Sequence, residues 1–401
     1  MQEKVKKFIE EHWDECIKEN REDCGTLIGL PYPYTVPAVG HFDEMYYWDT
    51  YFTNKGLELS DRYAQAKNNT DNMLYLINKY GFMPNGNRTY YLKRSQPPFL
   101  SIMVRDIYEH YRDGAWLRGA HYALEREYDF WMKERISPIG LNVYGGDISI
   151  SDPEKAKSSF SERVGFVPEQ SAEDISAHYA LSCESGWDCN PRWECEGFNY
   201  APVDLNSLLY AMECNMAYFS EILGMENKAI WEQRAEKRQS LMSRYMDNGE
   251  GLLLDYNFKK GKLSGIFSAA SFYPLYAGVA SAEQAEAVVK NLHRLEGEYG
   301  IFTCEKNDAR GMYQWDYPNG WACLQYIAFT GLDRYGYKED AARIALKYKE
   351  LAEKVFEETG NLWEKYNVEN GSIQVSNEYD MPAMMGWSAG VYLAAAEFLN
   401  G

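Results

Sequence analysis

The chain has 401 residues, of which 45% are hydrophobic and 25% charged, as in folded globular proteins with a large core. With 60 acidic and 41 basic residues the formal net charge is −19, and so acidic a surface disfavours nucleic acid and anionic membranes as partners. We therefore expect a neutral small-molecule ligand. The charged, amphipathic N-terminus lacks the apolar stretch of a signal peptide, and no run of about 18 apolar residues could span a membrane, which favours a cytoplasmic protein.

Hydrophobic periodicity predicts a mostly helical chain with no linker, and so one domain over residues 1–401. The candidate helices cover 2–20, 45–59, 61–80, 97–112, 114–135, 171–182, 203–223, 225–247, 281–294, 318–331, 337–359 and 381–399. The longer loops between them, rich in Gly, Pro, Asn, Trp and Tyr, are 31–44, 81–96, 136–170, 183–202, 300–317 and 361–380. This pattern favours helical hairpins arranged in a ring with the loops at one rim, since an α-solenoid would need a sequence repeat.

The segment 37–51 combines three carboxylates, Asp43, Glu44 and Asp49, with several aromatic side chains. A sugar pocket uses both kinds of group, because aromatic rings stack on sugar faces and carboxylates accept hydrogen bonds from hydroxyls. The alternative is an ordinary helix start, where acids in the first turn face the positive end of the helix dipole.

The segment 81–99 is a polar loop that leads through a double proline into a helix. Such a loop is costly unless its polar side chains have partners. The side chains of this loop that can donate directional hydrogen bonds to sugar hydroxyls are Asn85, Arg94 and Gln96. The alternative is a surface turn with solvated charges.

Asp188 lies between Trp187 and Trp193 in the segment 183–193. Aromatic walls exclude water from a carboxyl and raise its pKa, which a general acid acting near neutral pH requires. The alternative is an aspartate that caps a local turn.

Two later segments also place acids beside aromatic residues. Trp315 and Asp316 precede Pro318, which we expect to begin a helix, and Glu378 lies just before the last predicted helix. From these positions the side chains can reach inward from the rim of a ring. The alternatives are a hydrophobic staple with its cap and a first-turn acid, respectively.

Taken together, these segments resemble the trehalase family of glycoside hydrolases, in the same order along nearly the whole chain. The best matches are the runs 85–99, 184–188 and 314–321. The resemblance implies an (α/α)6 barrel that hydrolyses a small α-glucoside, trehalose by default, with inversion at the anomeric carbon. No metal or organic cofactor is needed for that reaction.

The resemblance also implies that Asp188 is the general acid and Glu378 the general base. Inversion needs a protonated carboxyl at the leaving oxygen and a carboxylate that activates water on the opposite face, roughly 6.5–9.5 Å away. The candidate substrate-binding residues are Phe42, Trp48, Asp49, Asn85, Arg94, Gln96, Trp187, Trp315 and Asp316.

The sequence departs from the family pattern on the side of the second sugar. His41 replaces an arginine, the family's Arg-Pro-Glu-Ser motif is missing from 151–170, and 371–377 replaces a run of glycines. Pro382 also replaces a glutamine. Because histidine cannot copy the bidentate fork of arginine, another α-glucoside remains an open alternative to trehalose.

Two other functions are compatible with a toroidal helical fold. A sugar epimerase would use histidines as acid and base, but the chain has only six and just His41 lies in a motif. A non-catalytic sugar-binding protein would not need both Asp188 and Glu378. Release of free sugar from a disaccharide separates the hydrolase from both alternatives.

Overall fold

The computed structural model describes residues 1–146, 151–375, 381–383 and 385–401. The helices in these ranges are α1 (Gln2–His12), α2 (Tyr47–Leu59), α3 (Tyr63–Tyr80), α4 (Leu100–Tyr111), α5 (Gly114–Glu134), α6 (Pro153–Val164), α7 (Ala172–Ser185), α8 (Val203–Ile222), α9 (Lys228–Met246), α10 (Tyr273–Ala277), α11 (Ala282–Lys290), α12 (Ala322–Arg334), α13 (Lys338–Thr359) and α14 (Gly386–Asn400). In the part of the chain so described, no helix has the length and apolarity needed to cross a bilayer.

Six of these helices form a closed inner ring. Helix α2 contacts α4, and the contacts continue from α4 to α8, α10, α12 and α14, which packs back against α2. Helices α3, α5, α9 and α13 lie outside and pack on the inner ones, and α1 packs on α13 and α14. The inner helices α8 and α14 are buried on nearly every face, whereas the outer helix α13 buries only one stripe. This difference is expected, since a helix that is apolar all round must be enclosed by others.

Short antiparallel strands lie in the segments between the helices. They are β1 (Ile17–Lys18), β2 (Tyr34–Thr35), β3 (Tyr200–Ala201), β4 (Tyr256–Asn257), β5 (Lys262–Leu263), β6 (Glu296–Gly297), β7 (Gly300–Ile301), β8 (Asn319–Trp321) and β9 (Lys365–Asn367). They pair as β1–β2, β3–β4–β5, β6–β7 and β8–β9. In the last pair Trp321 lies opposite Lys365, which joins two loops that are far apart in sequence.

The mostly helical prediction is confirmed, and several local predictions are wrong. The first helix ends at His12, and a 3-10 turn then leads into β1, which is held by its pairing with β2. Pro318 does not begin a helix, because β8 intervenes and α12 begins at Ala322. The loop predicted over 136–170 contains α6, which begins at Pro153 under a cap from Asp152. The short inner helix α10 lies where no helix was predicted.

The inner helices α2, α12 and α14 begin on the same side of the ring. Trp48 and Asp49 lie in the first turn of α2, Trp321 directly precedes α12, and Met385 and Trp387 flank the start of α14. All five line one pocket. The ring therefore collects residues from both halves of the chain at a single rim.

Candidate active site

A cavity of about 240 Å³ opens at this rim. Eight residues predicted from the sequence lie in its wall, namely Phe42, Trp48, Asp49, Asn85, Arg94, Gln96, Asp188 and Trp315. The other lining residues are Pro37, His41, Tyr46, Tyr91, Arg163, Cys183, Gly186, Gln314, Trp321, Glu364, Met385 and Trp387.

Two predicted site residues, Trp187 and Asp316, are not among the described residues that line the cavity. Trp187 is buried behind the wall, with its ring centroid 5.4 Å from that of Trp315. The carboxylate of Asp316 accepts hydrogen bonds from the side chain of Asn307 at 2.8 Å and from the backbone N–H of Tyr317 at 2.7 Å. Glu378 lies outside the described residues, so its predicted role as the base stays a prediction.

Tryptophans form the inner wall of the cavity. Trp48, Trp315, Trp321 and Trp387 are each no more than 3% exposed. The rings of Trp315 and Trp321 are stacked, with centroids 3.7 Å apart and planes 2° from parallel. Offset and edge-on packing of the others makes the wall rigid. Such a wall offers flat apolar faces to a sugar ring and excludes water from the carboxyls beside it.

The polar side of the cavity comes from the loop before α4. The backbone carbonyl of Asn85 accepts from the N–H of Tyr47, and the side-chain oxygen of Gln96 accepts from the N–H of Trp48, at 3.0 and 3.3 Å. The loop is therefore hydrogen-bonded to the first turn of α2. Burial of its polar groups is compensated in this way, as the sequence required.

A buried ion pair anchors the same loop from below. Glu184 is fully buried and lies 3.0 Å from the guanidinium of Arg135. Its carboxylate also accepts a hydrogen bond from the backbone N–H of Ser95 at 2.7 Å. Arg94, the residue before Ser95, has a buried Nε that finds no hydrogen-bond partner among the described residues. A buried donor without a partner is costly, and a ligand hydroxyl in the cavity would satisfy it.

Asp188 reaches the cavity from the loop that follows α7. That helix is capped at its C-terminus by Gly186, which has φ +76° and whose Cβ, if present, would lie 2.6 Å from ring atoms of Trp48. Only glycine fits both the left-handed backbone and the close approach to the ring. Four residues beyond Asp188, the buried guanidinium of Arg192 binds Asp255 at 2.9 Å and fastens the loop to the core.

Two further carboxylates share the cavity with Asp188. Burial raises the pKa of Asp49 to about 8; a backbone hydrogen bond opposes this rise, and the charges of Glu364 and Asp188 add to it. Glu364 is 2% exposed and lies 2.7 Å from the ammonium group of Lys365. Asp49 is therefore neutral at neutral pH, whereas Glu364 forms a buried ion pair.

Glu364 was missed in the sequence analysis. Adjacent acidic and basic residues near a turn are usually a solvated pair, and nothing local distinguishes this one. One signal was available, because the pair is flanked by Leu362, Trp363 and Tyr366, a hydrophobic setting that is unusual for exposed charges.

A family model described as trehalase matches residues 1–400. The chain belongs to the trehalase family. Its structure superposes on the neutral trehalase Nth1 from Saccharomyces cerevisiae with a TM-score of 0.81 and 29% identity, covering 99% of this chain and 80% of that one. It also matches a GH63 mannosylglycerate hydrolase from Thermus thermophilus, solved in complex with glucose, with a TM-score of 0.65 and 17% identity over 90% and 95% of the two chains.

These matches confirm that the helical ring is an (α/α)6 toroid and that the chain is a trehalase-family glycoside hydrolase. One departure from the family pattern lies in the wall of the cavity. His41, in place of the family's arginine, lines it, and so does Arg163 from α6, the helix that occupies the region of the missing motif. Across the described ranges, no group of three or more His, Cys, Asp or Glu side chains could hold a metal ion.

Proposed function

We propose that this trehalase-family enzyme hydrolyses a small α-glucoside with inversion, and that trehalose is its default substrate. The observation that carries the proposal is the meeting of Asp188, Asp49 and Glu364 in one tryptophan-walled cavity of about 240 Å³. Pockets for drug-sized ligands measure roughly 300–1,000 Å³, so this one suits a single sugar ring. We also propose that residues 1–401 form one catalytic domain, supported by a main hydrophobic cluster that extends from Val5 to Ala395.

Asp188 is the proposed general acid. It is half-buried beside the tryptophan wall, in a loop held by Arg192. The acid donates its proton to the glycosidic oxygen as the bond to C1 breaks, and the leaving group departs as an alcohol.

The base must be a carboxylate that takes a proton from water as the water attacks C1 from the opposite face. Asp49 is unsuitable, because with a pKa of about 8 it is protonated at neutral pH. We propose Glu364 as the base, supported by its place in the cavity wall and its ion pair with Lys365. Glu378, the base expected from the sequence, is the competing assignment.

The other lining residues bind the reacting sugar in this scheme. The tryptophan faces stack on its apolar side, and Asn85, Arg94 and Gln96 donate hydrogen bonds to its hydroxyls. The neutral carboxyl of Asp49 can both donate and accept a hydrogen bond, as a hydroxyl pair on a sugar ring requires. An epimerase is not supported, since His41 is the single histidine among the lining residues that the structure describes.

Proton NMR of the first minutes of reaction tests the reaction class. Inverting cleavage of trehalose releases one α- and one β-glucose, whereas a retaining enzyme releases only α-glucose at first. A panel of α-linked glucose disaccharides is run in parallel. Inversion on another disaccharide but not on trehalose would keep the mechanism and overturn the default substrate. No sugar release from any of them would overturn the proposed action on small α-glucosides.

The two candidate bases are separated by Glu364→Gln and Glu378→Gln. Loss of a general base lowers kcat by about 100- to 10,000-fold. We expect that loss in Glu364→Gln and near-normal turnover in Glu378→Gln. The reverse result would assign the base to Glu378. Near-normal turnover in both would show that neither acts as the base.

A further inference from the structure

Helix α6 stands outside the ring. It packs against α7, and its buried residues Phe160 and Val164 belong to a small hydrophobic cluster separate from the main core. The same cluster includes Tyr313, from the loop before β8. Helix α6 therefore lies outside the main core and packs on α7, the helix that leads into the loop carrying Asp188.

Arg163 lies in the last turn of α6 and is exposed, yet it lines the cavity. Its guanidinium carbon lies 5.5 Å from the ring centroid of Tyr179 in α7. Tyr179 is one helical turn before Cys183, which also lines the cavity, so the two side chains share a face of α7. Stacking on Tyr179 therefore holds the exposed side chain of Arg163 at the edge of the cavity.

The charges of Arg163 and Asp188 both act on the phenol of Tyr179. Burial raises the pKa of Tyr179; the positive charge of Arg163 opposes that rise and the negative charge of Asp188 adds to it. Both residues also line the cavity.

The size of the cavity indicates which part of a substrate would lie beside Arg163. A space of about 240 Å³ holds one sugar ring against the buried tryptophans. The leaving group then extends to the mouth, where His41 and Arg163 are exposed and Phe42 is half-buried. A guanidinium presents a planar fork of donors to neighbouring hydroxyls, which an imidazole cannot do.

We propose that Arg163 is the specificity-determining residue for the leaving group, donating hydrogen bonds to its hydroxyls from a helix outside the ring. This proposal rests on the proposed hydrolase function. It also accounts for the altered mouth, because an arginine from another part of the chain takes over where His41 replaces the family's arginine. The choice of α-glucoside would then depend on α6 rather than on the ring.

The test compares Arg163→Gln with the wild type on two substrates. One is the α-glucoside of the panel that the wild type cleaves fastest, and the other is α-glucosyl fluoride, whose leaving group has no hydroxyls. We expect the ratio of kcat/KM for the disaccharide to that for the fluoride to fall about 10- to 100-fold, the loss typical of a hydrogen bond from a charged donor. Arg163→Lys should restore part of that ratio.

Arg310→Gln is the matched control. Arg310 is also exposed and stacks on an aromatic ring, with its guanidinium carbon 5.0 Å from the centroid of Phe166, but it does not line the cavity. Arg310→Gln should leave the ratio of kcat/KM for the disaccharide to that for the fluoride unchanged. An unchanged ratio in Arg163→Gln, or an equal fall in Arg310→Gln, would overturn the proposal. A wild type that cleaves neither α-glucosyl fluoride nor any disaccharide of the panel would instead overturn the proposed action on α-glucosides, and the role of Arg163 with it.

Discussion

Replacement of Asp49 by asparagine should change how stability depends on pH. Asp49 is 8% exposed, and burial raises the pKa of its carboxyl from 3.8 to about 8. The nearby charges of Glu364 and Asp188 contribute to the same rise. In the unfolded chain the carboxyl has its ordinary pKa and is ionised above about pH 4.

Between about pH 4 and pH 8 the folded protein therefore keeps a proton that the unfolded chain has lost. Stability falls with pH wherever the folded state binds more protons, so Asp49 makes the wild type less stable as pH rises through this window. One bound proton corresponds to about 1.4 kcal/mol per pH unit, or roughly 3 kcal/mol between pH 5 and pH 7. The asparagine side chain of the variant does not titrate, so the variant lacks this loss.

Urea unfolding followed by far-UV circular dichroism at pH 5, 6, 7 and 8 measures the effect. The free energy of unfolding of Asp49→Asn, minus that of the wild type, should rise with pH by roughly 3 kcal/mol between pH 5 and pH 7. Asp316→Asn is the comparison, because burial raises the pKa of Asp316 only to about 6. The free energy of unfolding of Asp316→Asn, minus that of the wild type, should therefore level off above about pH 6. A constant difference between Asp49→Asn and the wild type would refute a neutral Asp49.

Three other substitutions test the scaffold and the acid. Gly186→Ala should lower the melting temperature, because a Cβ at φ +76° would lie 2.6 Å from the ring of Trp48, and overpacking costs about 1–3 kcal/mol. Glu184→Gln should lower the free energy of unfolding in urea by about 3–5 kcal/mol, since it leaves buried Arg135 without a countercharge. Asp188→Asn should lower kcat/KM for the α-glucoside by at least about 100-fold but affect α-glucosyl fluoride less, because fluoride leaves without a proton. Equal losses on both substrates would argue against Asp188 as the acid.

Much of the fold could be predicted from the sequence because most of its helices are long and periodic. The exceptions have physical reasons. Helix α10 has only five residues, too few to show a period. Helix α6 is polar apart from Phe160 and Val164, so it resembles a loop in hydrophobicity. Strand β8 depends on β9, which lies more than forty residues later, and no local pattern contains that pairing.

Some residues of the candidate site could likewise be predicted from the sequence, and others could not. Residues that lie together in the sequence, such as Asn85, Arg94 and Gln96, could be found as a segment whose polarity demanded partners. Glu364 and Arg163 could not, because each is an ordinary charged residue locally. Their place in the cavity depends on the ring and on the packing of α6 against α7. The local sequence does not show which residues will surround such side chains in the folded protein.

Charge balance in the cavity connects these neighbours to the kind of substrate. Three ionised carboxylates in so small a space would repel one another strongly. That repulsion is relieved because Asp49 remains protonated and Lys365 lies against Glu364. The positive charge of Arg94 offsets the charge of Asp188 when the Asp188 carboxyl is ionised. The inner cavity then carries little net charge, which suits a neutral sugar and leaves the exposed mouth as the place where substrates are distinguished.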